Sequence, residues 1–331
     1  MNNSNLPYDF QSDDFHEKVI EDFDALKMSA FHYQYDHIDT YRNFCDSLNK
    51  GPDNLRSAED IPFLPIEFFK YDVICDTDEH NVRIFKSSGT GGERSKHFVP
   101  DTSLYLNSIE RCFKSFYGNI ALYNLLALLP SYQEQKSSSL IYMTDHLISK
   151  AKSGDYSLHD QKKLFHQLEA LQLKKEKVLL IGVSFALLDL AESVSIDLSN
   201  CIVMETGGMK GRREEITRAE LHEKLKIAFN LSHIHSEYSM TELLSQAYSN
   251  ADGLFKTPPW MQVSLRDIQD PLSKARESKS GAINIVDLAN IHSCCFIATQ
   301  DIGRIHTDNT FEVLGRLDNS DIRGCNLMFS E

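Results

Sequence analysis

The chain has 331 residues, long enough for one large domain or two, and its 41% hydrophobic and 25% charged residues are ordinary for a globular protein. A formal net charge of −14 excludes broad binding to nucleic acid or to an anionic membrane surface, which needs basic surface, though it leaves room for a local basic site. The seven cysteines are scattered without a CxxC pair, and the N-terminus MNNSNLPYDFQSDD lacks the basic and apolar regions of a secretory signal, so reduced thiols in a cytoplasm are expected.

In chain order, residues 13–48 read as helical, with Phe15, Val19, Phe23 and Leu26 at three- and four-residue spacing. IPFLPIEFF at 61–69 carries two prolines among large apolar residues and reads as a buried, extended connector. NVRIFKS reads as a strand running into SSGTGGERSK. Asp101 is an N-cap for a helix that Gly118 closes. IALYNLLALLP at 120–130 is the longest apolar stretch and falls well short of the roughly 20 residues of a membrane span.

Beyond it, VLLIGVSF (178–185) and CIVMETGG (201–208) are apolar runs of the kind that form strands buried on both faces. ITRAELHEKLKIAF (216–229) is a helix with a Thr217/Glu220 capping box, and HIHSEY (233–238) is a further strand. GAINIVDL, CCFIAT and TFEVLGRL are strands with little helix between them. The pattern predicts a layered α/β fold with a β-rich C-terminal part.

Three stretches carry candidate chemistry. In SSGTGGERSK, glycines let backbone N–H groups converge on an anion while hydroxyls and a lysine add donors and charge. The order is not GxxxxGK[ST], and a glycine-rich surface hairpin accounts for this stretch equally well when taken alone. EYSMTE (237–242) closes a predicted strand with an aromatic face at Tyr238, a hydroxyl at Thr241 and a carboxylate at Glu242. These suit a base, a phosphate oxygen and a magnesium ion; a helix cap is the competing reading. ATQDIGRIHTDNTFEVLGRLDNSDIRG (298–324) holds Asp301, which suits ribose hydroxyls, and Arg316, which suits a phosphate, or else is a charged hairpin.

Together, in this order, the three stretches resemble the adenylate-forming superfamily, with its [ST]SGTTGxxK, YGxTE and GRxD motifs. Gly91 replaces the second threonine of SGTTG, and Ser239 replaces the glycine of YGxTE. FLPIEFFK, SSGTGG followed by SKH, METGGMKGRREEI, EYSMTELLSQAY and LGRLDNSDIRGC are similar, more closely, to the LuxE-type acyl-protein synthetases.

The resemblance implies an ATP- and magnesium-dependent enzyme, the large N-terminal-type domain of that superfamily, that activates a fatty acid as its adenylate. Ser87, Ser88, Gly89, Thr90, Gly91, Gly92 and Lys96 would hold the phosphates, with Gly207 and Gly208 lining the nucleotide site. Tyr238 would stack on adenine, Thr241 contact phosphate, Glu242 hold magnesium, Asp301 the ribose, and Arg316 a phosphate. Only Asn319–Glu331 follows Asp318, so the superfamily's C-terminal lid is expected to be lacking.

In its place the resemblance implies that Cys325, in a short tail at 319–331, accepts the acyl group as a thioester. A single domain over 1–331 with a mainly helical segment at 1–60 is expected. The implied partner is an acyl-CoA-reductase-like protein, with a carrier or acyltransferase protein as further candidates. Transfer to CoA and a non-catalytic scaffold are the alternatives. Cys294 and Cys295 read as core cysteines, and His292 beside them as no zinc ligand.

Overall fold

The structure is a computed structural model that describes residues 6–77, 82–88, 93–131, 133–193, 196–207, 216–275 and 280–317. Gly89, Thr90, Gly91, Gly92, Gly208, Asp318 and Cys325 lie outside the described residues. The chain begins with α1 (Phe15–Glu21), α2 (Phe23–His37) and α3 (Asp39–Ser47), then β1 (Leu64–Pro65), α4 (Phe68–Tyr71), β2 (Arg83–Lys86) and β3 (Lys96–Val99). It continues through α5 (Thr102–Tyr117), β4 (Asn124–Leu128), α6 (Ser139–Lys150), β5 (Ser153–Tyr156), α7 (Gln161–Leu173), β6 (Val178–Val183) and α8 (Ser184–Ser193). Then come β7 (Cys201–Thr206), α9 (Arg218–Phe229), β8 (His235–Tyr238), β9 (Ala247–Ser249), β10 (Met261–Arg266), β11 (Gly281–Asp287), β12 (Phe296–Ile305) and β13 (Phe311–Arg316).

Two compact units divide these elements, one of residues 1–80 with 259–331 and the other of residues 81–258. The split-chain unit holds the five-stranded sheet β1-β12-β11-β10, with β13 on the second edge of β12. Its strands are antiparallel except for β1, which runs parallel to β12 with Leu64 opposite Ile297. The proline-bracketed connector is thus an edge strand, where a missing N–H is tolerated. It turns into the short α4 once past Pro65, a helical turn the sequence reading did not expect.

The N-terminal helical stretch is broken at Asp22, whose carboxylate accepts from Ala25 N at 2.8 Å and starts α2 afresh. That break ends the expected stripe: Phe15 and Val19 are buried, but in α2 the buried positions are Lys27, Ala30, Phe31 and Gln34. Gln34 reaches across to donate to the carbonyls of Asn290 and Ile291 at 3.0 and 2.9 Å, so a polar residue anchors the helix. His292 pairs with Asp76 at 2.6 Å, while Cys294 and Cys295 are fully buried just before β12.

The continuous unit, residues 81–258, holds a six-stranded sheet of order β5-β4-β6-β7-β8-β9 and the hairpin β2–β3. Pairs from β5 to β8 are parallel, and β9 closes the edge antiparallel to β8. All six residues of β6 are buried, as a parallel strand covered on both faces requires. Full burial of a Val, Leu or Ile side chain contributes about 1.5–3 kcal/mol. Gly182 interrupts that run because a Cβ there would stand 2.9 Å from Leu128 Cβ.

Successive residues of a strand face opposite sides, and this places the covering helices. Ser236 Oγ lies 3.4 Å from Nε2 of His222 on α9. Its neighbour Glu237 pairs with Tyr248, whose ring meets Phe116 and Tyr117 of α5. So α9 and α5 cover opposite faces. The expected caps are present: Asp101 accepts from Ser103 N at 2.8 Å, Gly118 ends α5 at φ +76°, and Thr217 and Glu220 form the capping box of α9.

Candidate active site

The hairpin β2–β3 flanks the glycine loop and is pinned at its mouth. Ser87 N donates to Ser95 O at 3.1 Å, and Ser95 N donates to Ser87 Oγ at 3.1 Å. Arg94 also donates to the carbonyl of Ser87. Ser87 Oγ therefore already accepts one bond and keeps its O–H to give. Ser88 and Lys96 are exposed, whereas Ser95 is buried. Lys96 sits opposite Lys86 in the ladder, which places two ammonium-bearing residues at the loop's base.

The second group stands at the carboxyl ends of β7 and β8, the edge of a parallel sheet where ligands bind. Gly207 follows β7 directly, and its carbonyl accepts from Ser184 Oγ at 2.6 Å, at the junction of β6 with α8. Tyr238 ends β8, with its ring 5.7 Å from that of Phe255. Phe255 in turn lies beneath the Arg218 guanidinium at 5.0 Å. Arg218 Nε donates to Glu205 Oε1 at 2.9 Å. Burial would raise the Glu205 carboxyl, but the hydrogen bond from His222 and the charge of Arg218 outweigh it and hold the group below its usual range.

Past Tyr238 the chain turns, leaving Thr241 half-buried and Glu242 only 4% exposed. The sequence alone suggests that Glu242 sits at a strand end outside the core; the structure corrects this, because residues 242–249 are all buried as β9 is approached and formed. His97 on β3, completely buried, holds the turn in place through Nδ1, 2.8 Å from the Thr241 carbonyl. A carbonyl only accepts, so Nδ1 carries the proton. The hairpin and the Tyr238–Glu242 turn are thereby brought together within one unit. His97 closes the SKH stretch directly after Lys96, but the motifs assign it no role.

Asp301 and Arg316 lie in the other unit, where they are cross-strand partners on β12 and β13. Asp301 is half-buried, and Arg316, whose side chain is exposed, donates to Gln300 Oε1 at 3.4 Å. A register shift between Ile302 and Gly303, directly after Asp301, marks a bulge of the kind that re-aims a side chain.

No group of three or more metal-ligating side chains occurs among the described residues. A magnesium ion bound together with nucleotide phosphates takes only one or two protein carboxylates. The single carboxylate of Glu242, at the sheet's carboxyl edge, fits that requirement.

These features define a class. The fold is that of the adenylate-forming ligases: over 96% of the chain and 78% of the other it matches an open conformation of 2-hydroxyisobutyryl-CoA ligase, with a TM-score of 0.70 at 12% identity. ATP-bound MatB from Rhodopseudomonas palustris matches over 73% of the chain with a TM-score of 0.56 at 14% identity, and the chain spans 49% of that protein's length.

The resemblance to the LuxE-type synthetases is also found directly, since residues 4–118 match the family model described as acyl-protein synthetase, LuxE. The chain is 23% identical over 94% of its length, and 88% of the other protein, to the long-chain-fatty-acid–luciferin-component ligase of Aliivibrio fischeri. It is 23% identical to the Vibrio harveyi protein of the same name over 92% of the chain and 86% of that protein. No helix among the described residues is long and apolar enough to cross a membrane.

Proposed function

We propose that the chain is an acid–thiol ligase that activates a fatty acid with ATP and passes the acyl group to a cysteine. The observation that carries this reading is the tie between His97 and Thr241, which fixes the strand leaving the glycine loop to the turn bearing Glu242. Ser87, Ser88, Gly89, Thr90, Gly91, Gly92 and Lys96 cradle the phosphates, Gly207 and Gly208 line the nucleotide, and Thr241 meets a phosphate oxygen. Tyr238 stacks on adenine, Asp301 takes the ribose, and Arg316 pairs with phosphate. Glu242 would hold magnesium, which when bound offsets charge on the pyrophosphate.

In the first step a carboxylate oxygen of the acid bonds to the α-phosphorus while the bond to pyrophosphate breaks, giving acyl-AMP. Lys96 and the loop N–H groups stabilise the charge that collects on the leaving oxygens, an electrostatic task for a preorganised site. In the second step the Cys325 thiolate bonds to the acyl carbon and AMP leaves, forming a thioester. An acyl-CoA-reductase-like protein receives the acyl group, in a cytoplasm that keeps the thiol reduced. The names of the relatives from Aliivibrio and Vibrio support a long-chain fatty acid as the substrate.

Acid-dependent exchange of labelled pyrophosphate into ATP tests the first step, and its absence with every acid overturns the reading. Labelled acyl retained on the denatured protein tests the second.

A further inference from the structure

The face of β8 and β9 covered by α5 is polar where a core is usually apolar. Glu237 stands opposite Tyr248, and Thr206 on the neighbouring β7 donates its hydroxyl to the Glu237 carboxylate. From α5, Ser108 Oγ lies 3.0 Å from Ser245 Oγ. The rings of Phe116 and Tyr117 lie 5.2 and 5.3 Å from that of Tyr248. Among the described residues, neither amide atom of Gln246 has a hydrogen-bonding partner, and nor does the hydroxyl of Tyr248. Gln246 is 0% exposed and Tyr248 2%.

Leaving a buried donor or acceptor unmade is destabilising, and native interiors keep few such groups. Met at 246 and Phe at 248 would fill nearly the same volume without that penalty. A protein retains groups of this kind where a ligand completes them, at the expense of its own stability. Their place in the chain says which ligand. Glu237 directly precedes Tyr238, while Gln246 and Tyr248 follow Glu242 just before and on β9, which leaves the same turn. An acid whose carboxylate is held at that turn has this polar layer beside it.

We infer, building on the adenylating function proposed above, that the layer receives a hydroxyl on the acid's chain, so that the substrate is a hydroxylated fatty acid. A hydroxyl both donates and accepts, as do Gln246 and Tyr248, and it can donate to Glu237. An unsubstituted alkyl chain leaves Gln246 and Tyr248 unpaired, and a site built to bond a hydroxyl discriminates strongly against the analogue lacking it. A second carboxylate on the chain would meet the like charge of Glu237.

Two measurements on the full chain decide this without ATP. Gln246→Met and Tyr248→Phe should each raise the melting temperature of the ligand-free protein by about 2–4 °C. A fall in both would mean that the groups serve the fold, and would overturn the inference. In the second, acids of one chain length, unsubstituted or bearing one hydroxyl at successive carbons, are added to the wild type. A hydroxylated acid should raise the melting temperature more than the unsubstituted one, and Gln246→Met should abolish the difference.

Equal shifts, or a larger shift from the unsubstituted acid, would overturn it. Pyrophosphate exchange with the same acids then separates the two readings. If a hydroxylated acid stabilises the protein but supports no exchange, adenylation fails and the site stands. If only unsubstituted acids support exchange, adenylation stands and the inference fails.

Discussion

His97 Nδ1 donates to the carbonyl of Thr241 at 2.8 Å, joining the strand after the glycine loop to the turn before β9. The bond is wholly buried on the histidine side, so removing the donor leaves a carbonyl without this partner. His97→Leu should lower stability by about 1–3 kcal/mol. Pyrophosphate exchange should fall further than that loss of folded protein explains, because the glycine-loop hairpin and the turn bearing Glu242 lose their common anchor. His97→Asn, which keeps a side-chain donor, should recover part of the exchange. Exchange that tracks only the folded fraction would argue against an anchoring role.

Glu242 is best tested with an isostere. It is buried, so Glu242→Ala would open a cavity as well as remove charge. Glu242→Gln should leave thermal unfolding within a few degrees of wild type yet reduce exchange by about 10²-fold or more, the scale expected for losing one preorganised group that stabilises charge at the reacting centre, here through the proposed magnesium. Undiminished exchange at saturating magnesium would remove Glu242 from the metal site.

Lys96 and Ser95 are neighbours in sequence with opposite surroundings: the lysine is exposed, the serine buried. Lys96→Ala should weaken ATP binding, since it removes a full positive charge from the loop's base. Ser95→Ala should change stability more than affinity, because the backbone N–H of residue 95, which pins Ser87, remains in the alanine variant. Isothermal titration with ATP beside a melting curve separates the two, and equal losses of affinity would count against the assignment.

Much of this arrangement is written in local patterns. The run VLLIGV suits a strand covered on both faces, and all six of its residues are buried. The Asp101, Gly118 and Thr217/Glu220 signals mark helix ends because they answer orphan backbone groups of their own helix. What stays hidden depends on partners far along the chain. Lys27 and Gln34 read as surface residues, yet Gln34 is buried because its amide meets carbonyls some 256 positions away. The burial of Glu242 follows from the return of β9 against β8, and the role of His97 from a contact 144 positions distant. The sequence places the glycine-loop residues and the Tyr238–Glu242 turn at strand ends, but no spacing shows which histidine joins the hairpin to the turn.

A pH dependence follows from His235, at the start of β8. Burial, reinforced by the neighbouring charge of His233, lowers its pKa to about 4, while Tyr117 Oη lies 3.2 Å from its Nδ1. The folded protein thus keeps the ring neutral where the unfolded chain, with a pKa near 6.5, takes up a proton. This contribution to stability is fully present above pH ~6.5 and is lost as pH falls toward about 4, with a slope of at most one proton. His235→Gln should flatten the melting temperature of the variant relative to wild type across that window. Parallel curves would show that His235 is not the group responsible.

The acceptor thiol can be sought by elimination among the cysteines. Burial pushes Cys45 up to about 12 and Cys201 up to about 11, and it raises Cys294 and Cys295 as well, so at neutral pH these four stay as weakly nucleophilic thiols. Cys112 is also buried, with Sγ 3.9 Å from Ser108 Oγ. Cys75, half-buried, and Cys325, outside the described residues, are left. Cys325 follows the GRLD motif closely, with Arg323 two positions before it in the sequence. Cys325→Ser should preserve pyrophosphate exchange, because adenylation needs no thiol, and should abolish hydroxylamine-labile acylation of the protein. Cys75→Ser should leave both intact. If the Cys325 variant is still acylated through a labile bond and the Cys75 variant is not, the acyl group belongs to Cys75. If both variants are acylated as wild type, neither thiol is the acceptor.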